Sequence, residues 1–360
     1  MNNLRKHFPI LNDCIYVNTA SAGLLPEPVL AFRREHDQSF FERGSLFKDQ
    51  QIEFLTTYRE EVGRFFECPP NQVALVPNFS FGYNMLMEGV KEGSKILLLT
   101  GDYPSVNWGV TFRTFEVVYA NLDENLEQNI AEAVKSEKPD FLCLSLVQYI
   151  NGIKIDFHFL DQLKKNYPNL SIIADGTQYL GTERFSFRES GIDVLIASGY
   201  KWMNGGYGNA LMLFKEHIPA IIFPRSLGFG SVKGKYKPED GSFIGRLEPG
   251  HQDTLNHGSL VEGLKLHTKI GRDEVQQQNY NLAMYAKEKF TEFGLLEDEV
   301  VARANHSTIF NIKGDQQLFD DLSKEKVICS QRGDGLRLSF HFYNTLEEID
   351  LIYDLLKRYR

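Results

Sequence analysis

The stretches LSIIADGTQ (residues 170–178) and DVLIASGYKW (residues 193–202) decide how this chain folds. Each opens as a run that is apolar at nearly every position and then reaches a glycine-containing turn. Such runs suit strands buried on both faces of a mainly parallel sheet covered by helices. Each run hands over to a chemically active side chain, Asp175 in the first and Lys201 in the second. In an open parallel sheet the strand ends line the ligand crevice. Asp175 and Lys201 are 26 positions apart (201 − 175), one strand-to-strand step, which predicts neighbouring strand ends in one crevice.

The same pattern extends outward. QVALVP, KILLLT, EVVYANL, FLCLSLV and NALMLF are further β-rich runs between about Gln72 and Phe214. Between them, NLEQNIAEAVKSE and FHFLDQLKKNYPN have helical spacing. This alternation predicts an α/β fold, with a large domain (51–255) whose mainly parallel sheet is flanked by helices. Residues 78–82, Tyr103, 148–152, 175–178 and 198–201 all fall at the strand ends. Beyond Phe223 the glycine-rich PRSLGFGSVKGKYKPEDGSFIGRLEPGHQD reads as a functional loop. A helical connection and a small C-terminal α+β domain are expected over 256–360, where Thr345 and Glu348 form a capping box for the last helix. The N-terminal segment (1–50) is expected to pack with the small domain or to line the active site.

The bulk numbers bound the function. At 360 residues the chain exceeds what one compact core usually serves. With 42% hydrophobic and 24% charged residues it reads as an ordinary soluble globular protein. A net charge of −9 gives no support for nucleic-acid or membrane-surface binding. No run approaches the length of a membrane span, and MNNLRKHFPILNDCIYVNTA has no signal-peptide core. The cysteines (Cys14, Cys68, Cys143, Cys329) show no metal-binding spacing, so no zinc site, no disulfide framework and a cytoplasmic location are expected.

Taken singly, Asp175 could cap a helix and Lys201 could be solvated. Together they ask for more. A buried carboxylate needs a cation, a metal or several donors. Gly176, Thr177 and Gln178 are poor further metal ligands, whereas a protonated heterocyclic nitrogen is a good partner. An aspartate with a lysine one strand away is what a pyridoxal phosphate enzyme requires, the lysine forming a Schiff base and the aspartate holding the ring nitrogen's proton. The helix start in PNFSFGYNMLMEGV offers Phe79 and Ser80 to a phosphate, with Ser198 and Tyr200 as further donors. Tyr103 is a candidate ring-stacking face.

The joint motif Asp175-Gly176-Thr177-Gln178 followed by Ser198-Gly199-Tyr200-Lys201-Trp202 closely resembles the signature of the class V aminotransferases, the cysteine desulfurase-like branch of fold-type I pyridoxal phosphate enzymes. YVNTASAGLLP, EPGHQD and LRLSFHFYNTLEEID extend the resemblance over nearly the whole chain. It implies that Lys201 carries the cofactor, Asp175 partners the pyridine nitrogen and Gln178 donates to the phenolic oxygen. Phe79, Ser80, Ser198 and Tyr200 would hold the phosphate, with a tyrosine where the family usually has histidine. His251 stands where the family's threonine reaches the neighbouring subunit's phosphate, so a homodimer with a shared active site is implied. The family's segment near the phenolic oxygen aligns with Gln148 and Tyr149. Arg337 would grip the α-carboxylate of an amino-acid substrate, for which guanidinium is the right fork.

The resemblance permits several reactions. A class V aminotransferase is the first expectation; desulfurase, selenocysteine lyase, kynureninase and epimerase chemistries remain alternatives, as does a degenerate binding module. A nicotinamide-binding reading fails because no GxGxxG follows a strand. Cys329 precedes Arg337 by eight positions (337 − 329), in the strand-like KVICSQ, and the family's cysteine loop is cut to RGDG. A buried structural thiol is therefore expected rather than a nucleophile.

Overall fold

The computed structural model describes residues 2–229, 231 and 242–358. Part of the glycine-rich loop, 230 and 232–241, lies outside the described residues. After a short β1 (Ile15–Tyr16), the apolar runs become β2 (Val73–Val76), β3 (Lys95–Leu99), β4 (Glu116–Ala120), β5 (Phe141–Ser145), β6 (Ser171–Asp175), β7 (Val194–Ser198) and β8 (Ala210–Phe214). These seven form one sheet in the order β2-β8-β7-β6-β5-β3-β4. Every residue of β5, β6, β7 and β8 is buried, whereas the edge strand β4 keeps exposed positions. Continuous apolar runs thus take the centre, where helices cover both faces. β8 runs antiparallel to both neighbours, β7 and β2. β3 to β7 are parallel, so β3, β5, β6 and β7 end on one edge of the sheet.

A second, three-stranded sheet has the order β11-β12-β9, from β9 (Ile309–Lys313), β11 (Ser330–Arg332) and β12 (Gly335–Ser339). β10 (Val327–Ile328) pairs instead with β1. The run KVICSQ is therefore two short strands that break at Cys329 and join different sheets. The helical region before it is two helices, Thr254–Ile270 and Arg272–Glu292, separated at Gly271, whose φ of 101° suits a residue without Cβ. The last helix, Leu346–Arg358, opens with the capping box: Glu348 N–H donates to Thr345 Oγ1 at 3.3 Å and Thr345 N–H to Glu348 Oε2 at 3.2 Å.

The N-terminal segment reaches both the small-sheet strand β12 and the turn after β7. β1 pairs with β10, Asn18 bridges Ser339, and Gly23 N–H donates to Tyr200 O at 3.0 Å. A Cβ on Gly23 would lie 1.8 Å from the carbonyl oxygen of Lys201. Backbone has little room to yield there, so Gly23→Ala should cost about 1–3 kcal/mol of overpacking strain. A thermal melt matching that of the unsubstituted protein would show that the crossing segment has slack.

Candidate active site

At the edge where β3, β5, β6 and β7 end, a cavity of about 390 Å³ opens. Phe79, Ser80, Tyr103, Asp175, Gln178, Ser198, Tyr200 and Lys201 all line it, so the structure brings eight of the sequence candidates together. His251 and Arg337 do not line it.

Lys201 follows β7 and Asp175 closes β6, and both are buried (8% and 6% exposed). They share the cavity without forming an ion pair, and among the described residues Lys201 Nζ has no hydrogen-bond partner. The lysine turn is held by Asn204, in the left-handed region at φ 55°, whose Nδ2 donates to Leu24 O at 2.9 Å. Burial lowers the Lys201 amine's pKa, opposed by the charge of Asp175 and assisted by Arg337 and Arg332. Burial likewise raises the Asp175 carboxyl, opposed by its Thr177 hydrogen bonds and by Lys201. Thr177 joins the two strand ends: its N–H donates to Asp175 Oδ1 at 2.8 Å, and its hydroxyl accepts from Ser198 N–H at 3.1 Å.

The helix Phe79–Met87 points its N-terminus at the same space. The first turn of a helix leaves N–H groups without intrahelical acceptors. Ser198 Oγ takes that of Phe79 at 2.9 Å and Asn78 Oδ1 that of Phe81 at 2.8 Å, while Ser80 N–H keeps no acceptor among the described residues. Ser80 Oγ donates to Ser105 Oγ at 2.8 Å. A helix N-terminus with a free N–H and two serine hydroxyls suits an anion.

Gln178 has an unambiguous amide orientation. Its Oε1 accepts from the Trp202 indole N–H at 2.8 Å, and its Nε2 donates to Ala20 O at 3.0 Å, which leaves one amide hydrogen over. The Tyr103 ring stands 5.3 Å from that of Tyr149, edge to face, and the Tyr200 ring stacks on Tyr207 at 4.9 Å. Burial, and then the neighbouring tyrosines, push the Tyr200 hydroxyl up to about 12. Tyr149 lines the cavity, whereas Gln148 caps its own turn, its Oε1 accepting from Ile150 N–H and Asn151 N–H at 2.5 and 2.8 Å.

Arg337 lies behind Tyr149, to whose carbonyl oxygen its Nη1 donates at 2.6 Å. It is 2% exposed, its Nε has no partner, and burial lowers its pKa to about 10. His251 sits in another cavity, of about 1130 Å³, beside Gln51 at 3.4 Å and the Phe229 ring at 5.2 Å. Cys329 is buried in the main core, and burial pushes its thiol up to about 11.

Sequence reasoning passed over Asp102 and Ser145. Asp102 Oδ1 accepts from Tyr103 N–H at 2.6 Å and its Oδ2 from Ser145 N–H at 2.7 Å, so one buried carboxylate ties β5 to the Tyr103 turn. Its signal is an aspartate just after a strand, in KILLLTGDY, which composition alone does not separate from a turn residue.

The profile described as aminotransferase class-V matches residues 15–352. The chain belongs to the class-V aminotransferase family. Among its relatives in that family is an uncharacterized aminotransferase, YcbU, of Bacillus subtilis (strain 168), 25% identical over 96% of this chain and 94% of that one. The isopenicillin N epimerase of Amycolatopsis lactamdurans is also 25% identical, over 95% of this chain and 94% of its own. In structure the chain resembles the apo cysteine desulfurase of Thermococcus onnurineus NA1, with a TM-score of 0.87 at 18% identity over 99% of this chain and 97% of that one. That likeness establishes the fold, the mixed α/β architecture of the class-V enzymes, a family that works with pyridoxal 5'-phosphate.

Proposed function

We propose that this class-V protein is a pyridoxal phosphate enzyme acting on an amino acid, an aminotransferase first among the family's reactions. The observation that carries the reading is the Lys201–Asp175 pair, both buried, in one cavity, with no hydrogen bond or ion pair joining them among the described residues. A buried amine and a buried carboxylate that share a cavity without touching remain costly unless a further group stands between them. The donor set fits that group: Ser80 and Ser198 at a helix N-terminus for a phosphate, Asp175 for a ring nitrogen, the spare Gln178 amide hydrogen for an oxygen and Tyr103 for a ring face. When bound, pyridoxal phosphate supplies an aldehyde carbon for the lysine and an electron-withdrawing ring.

The chain's own groups would then divide the work. Burial lowers the amine pKa of Lys201, which brings the neutral form that attacks a carbonyl closer to neutral pH; once free, the amine would take the substrate's Cα proton at Nζ. Asp175 would hold the ring nitrogen's proton, and Arg337 would bind the α-carboxylate with the N–H groups it does not give to Tyr149. His251 would act across a homodimer, because it lies away from the Lys201 cavity and near exposed apolar groups such as Ile52 (80% exposed). A reducing, cytoplasmic setting fits the free thiols Cys14, Cys68, Cys143 and Cys329. No helix among the described residues is long and apolar enough to cross a membrane.

Absorbance tests the reading. Purified protein given pyridoxal phosphate should gain a visible band that borohydride bleaches while fixing the cofactor to Lys201, and an amino-acid panel should release keto acid. A colourless protein would mean a binding module instead.

The likeness to desulfurases keeps one second reading in view, and Cys329 separates it from the first. Its thiol is buried, its pKa is raised, and only Gly333 and Asp334 separate β11 from β12. Cys329→Ala should leave turnover within about twofold and cost about 1 kcal/mol of packing, the scale of a small core truncation. Sulfide release from cysteine that vanishes with this thiol would overturn the choice of aminotransferase.

A further inference from the structure

The hairpin β11–β12 has two unlike faces. Leu336 and Leu338 of β12 are fully buried with Phe310 and Ile312 of β9. By alternation, Arg337 and Ser339 share the opposite face. Ser339 Oγ accepts from Ala20 N–H at 2.9 Å, and Ala20 O is the acceptor that holds Gln178. The polar face is therefore turned to the wall of the Lys201 cavity.

Register adds Arg332 to that face. Ser330 pairs with Arg337 and Arg332 with Gly335, so Arg332 stands one diagonal from Arg337, roughly 7–8 Å along such a ladder. Asn311 Nδ2 donates to Arg332 O at 2.7 Å and holds the backbone there. A Cβ on Gly335 would come within 2.3 Å of Asn311 Oδ1, so glycine makes room for the tie. The turn beyond sits on the loop that carries Tyr149: a Cβ on Gly333 would lie 3.1 Å from Ile150 Cγ2.

No carboxylate answers the charges on this face among the described residues, with Arg337 buried and Arg332 open to solvent. Arg337 gives one N–H to a carbonyl and buries an unpartnered Nε. Arg332 donates only to Gln331 O, at 3.0 Å, and neither guanidinium forms an ion pair among the described residues. Neither lines the Lys201 cavity, yet both lie close enough to Lys201 to help lower its amine's pKa. One α-carboxylate answers only one of the two.

We infer that Arg332 is a specificity residue that binds a second acidic group, so that the substrate class is a short dicarboxylic amino acid. This rests on the reading of Arg337 as the α-carboxylate anchor. Two anionic groups on a short chain match two guanidiniums set on one diagonal, and a neutral side chain gains no charge-assisted contact from Arg332.

The test uses the full chain, with and without cofactor, and calorimetric titration with succinate, its half-amide succinamate and butyrate. These probes carry no amine and need no chemistry. Succinate should bind about tenfold more tightly than either monoacid, the low end for a charge-assisted pair because Arg332 is exposed. Arg332→Gln should remove most of that preference, whereas Arg337→Gln should weaken all three anions. With cofactor bound, L-aspartate or L-glutamate should perturb the visible band at lower concentration than L-asparagine or L-glutamine, and Arg332→Gln should level them. A succinate preference that survives Arg332→Gln, or tighter binding of the neutral amino acids, would overturn the inference. A colourless protein with an Arg332-dependent succinate preference would sink the cofactor reading and leave this one standing.

Discussion

Lys201→Ala should produce a folded protein that shows no imine absorbance in the visible, retains no cofactor after borohydride treatment and turns over no amino acid. Among the residues lining the cavity, Lys201 carries the one side-chain amine, so no neighbour can take over the covalent link. Loss of the proton-transfer role proposed for it would alone be worth about 10²–10⁴ in rate. The fold should not suffer. The side chain ends in an existing cavity, so its removal opens no new void in the core. It also removes an ammonium whose pKa burial lowers from the ordinary 10.5. The sign follows from linkage: between the lowered value and 10.5 the unfolded chain binds more protons than the folded one, so native stability rises with pH. Below that window the buried ammonium is a standing penalty, which alanine lacks. The apo variant should therefore melt no lower than the unsubstituted apo protein at neutral pH. A variant that keeps a reducible adduct, or one that fails to fold, would count against Lys201 as the covalent site.

Much of this arrangement is legible in the residues, and the reasons differ by element. The seven apolar runs became the seven strands of the main sheet, and those at its centre are buried throughout because a run without polar alternation has no solvent-facing side to offer. Hydrophobic pattern carries no strand direction, so the antiparallel setting of β8 was not legible. KVICSQ reads as one strand, yet its halves pair with β1 and β12, a choice made by partners hundreds of residues away or across a turn. The strand ends put eight candidate residues in one cavity, because the end of a strand is where side chains leave the sheet. Asp102 was missed for the opposite reason: its role is to accept two backbone N–H groups, and only the packed structure shows that those groups lack other partners. His251 depends on what lies across its own cavity, which one chain's sequence does not describe.

Asp175→Asn is expected to separate function from stability. In the working enzyme the carboxylate would face a protonated ring nitrogen, and an amide cannot hold that proton by charge. Turnover should fall by about 10²–10³, the scale for losing one preorganised electrostatic contact in a dry site. Bound cofactor should persist, because the proposed Lys201 link and the proposed Ser80–Ser198 anion site would be untouched. Without cofactor the effect should reverse. Burial raises the Asp175 carboxyl above its ordinary 3.8, so the folded apo protein keeps a proton that the unfolded chain has already lost. Stability therefore falls as pH climbs from about that ordinary value through the raised one, and the loss is complete above it. Asparagine keeps an oxygen for the Thr177 N–H and has no charge to bury. The apo variant should thus melt higher than the unsubstituted apo protein at neutral pH, and the gap should close on acidification. The two melting curves measured across pH, beside kcat for the cofactor-loaded forms, decide the matter. Near-normal kcat would remove Asp175 from the chemistry, and an apo melt that drops at neutral pH would show that its carboxylate is paired in the fold.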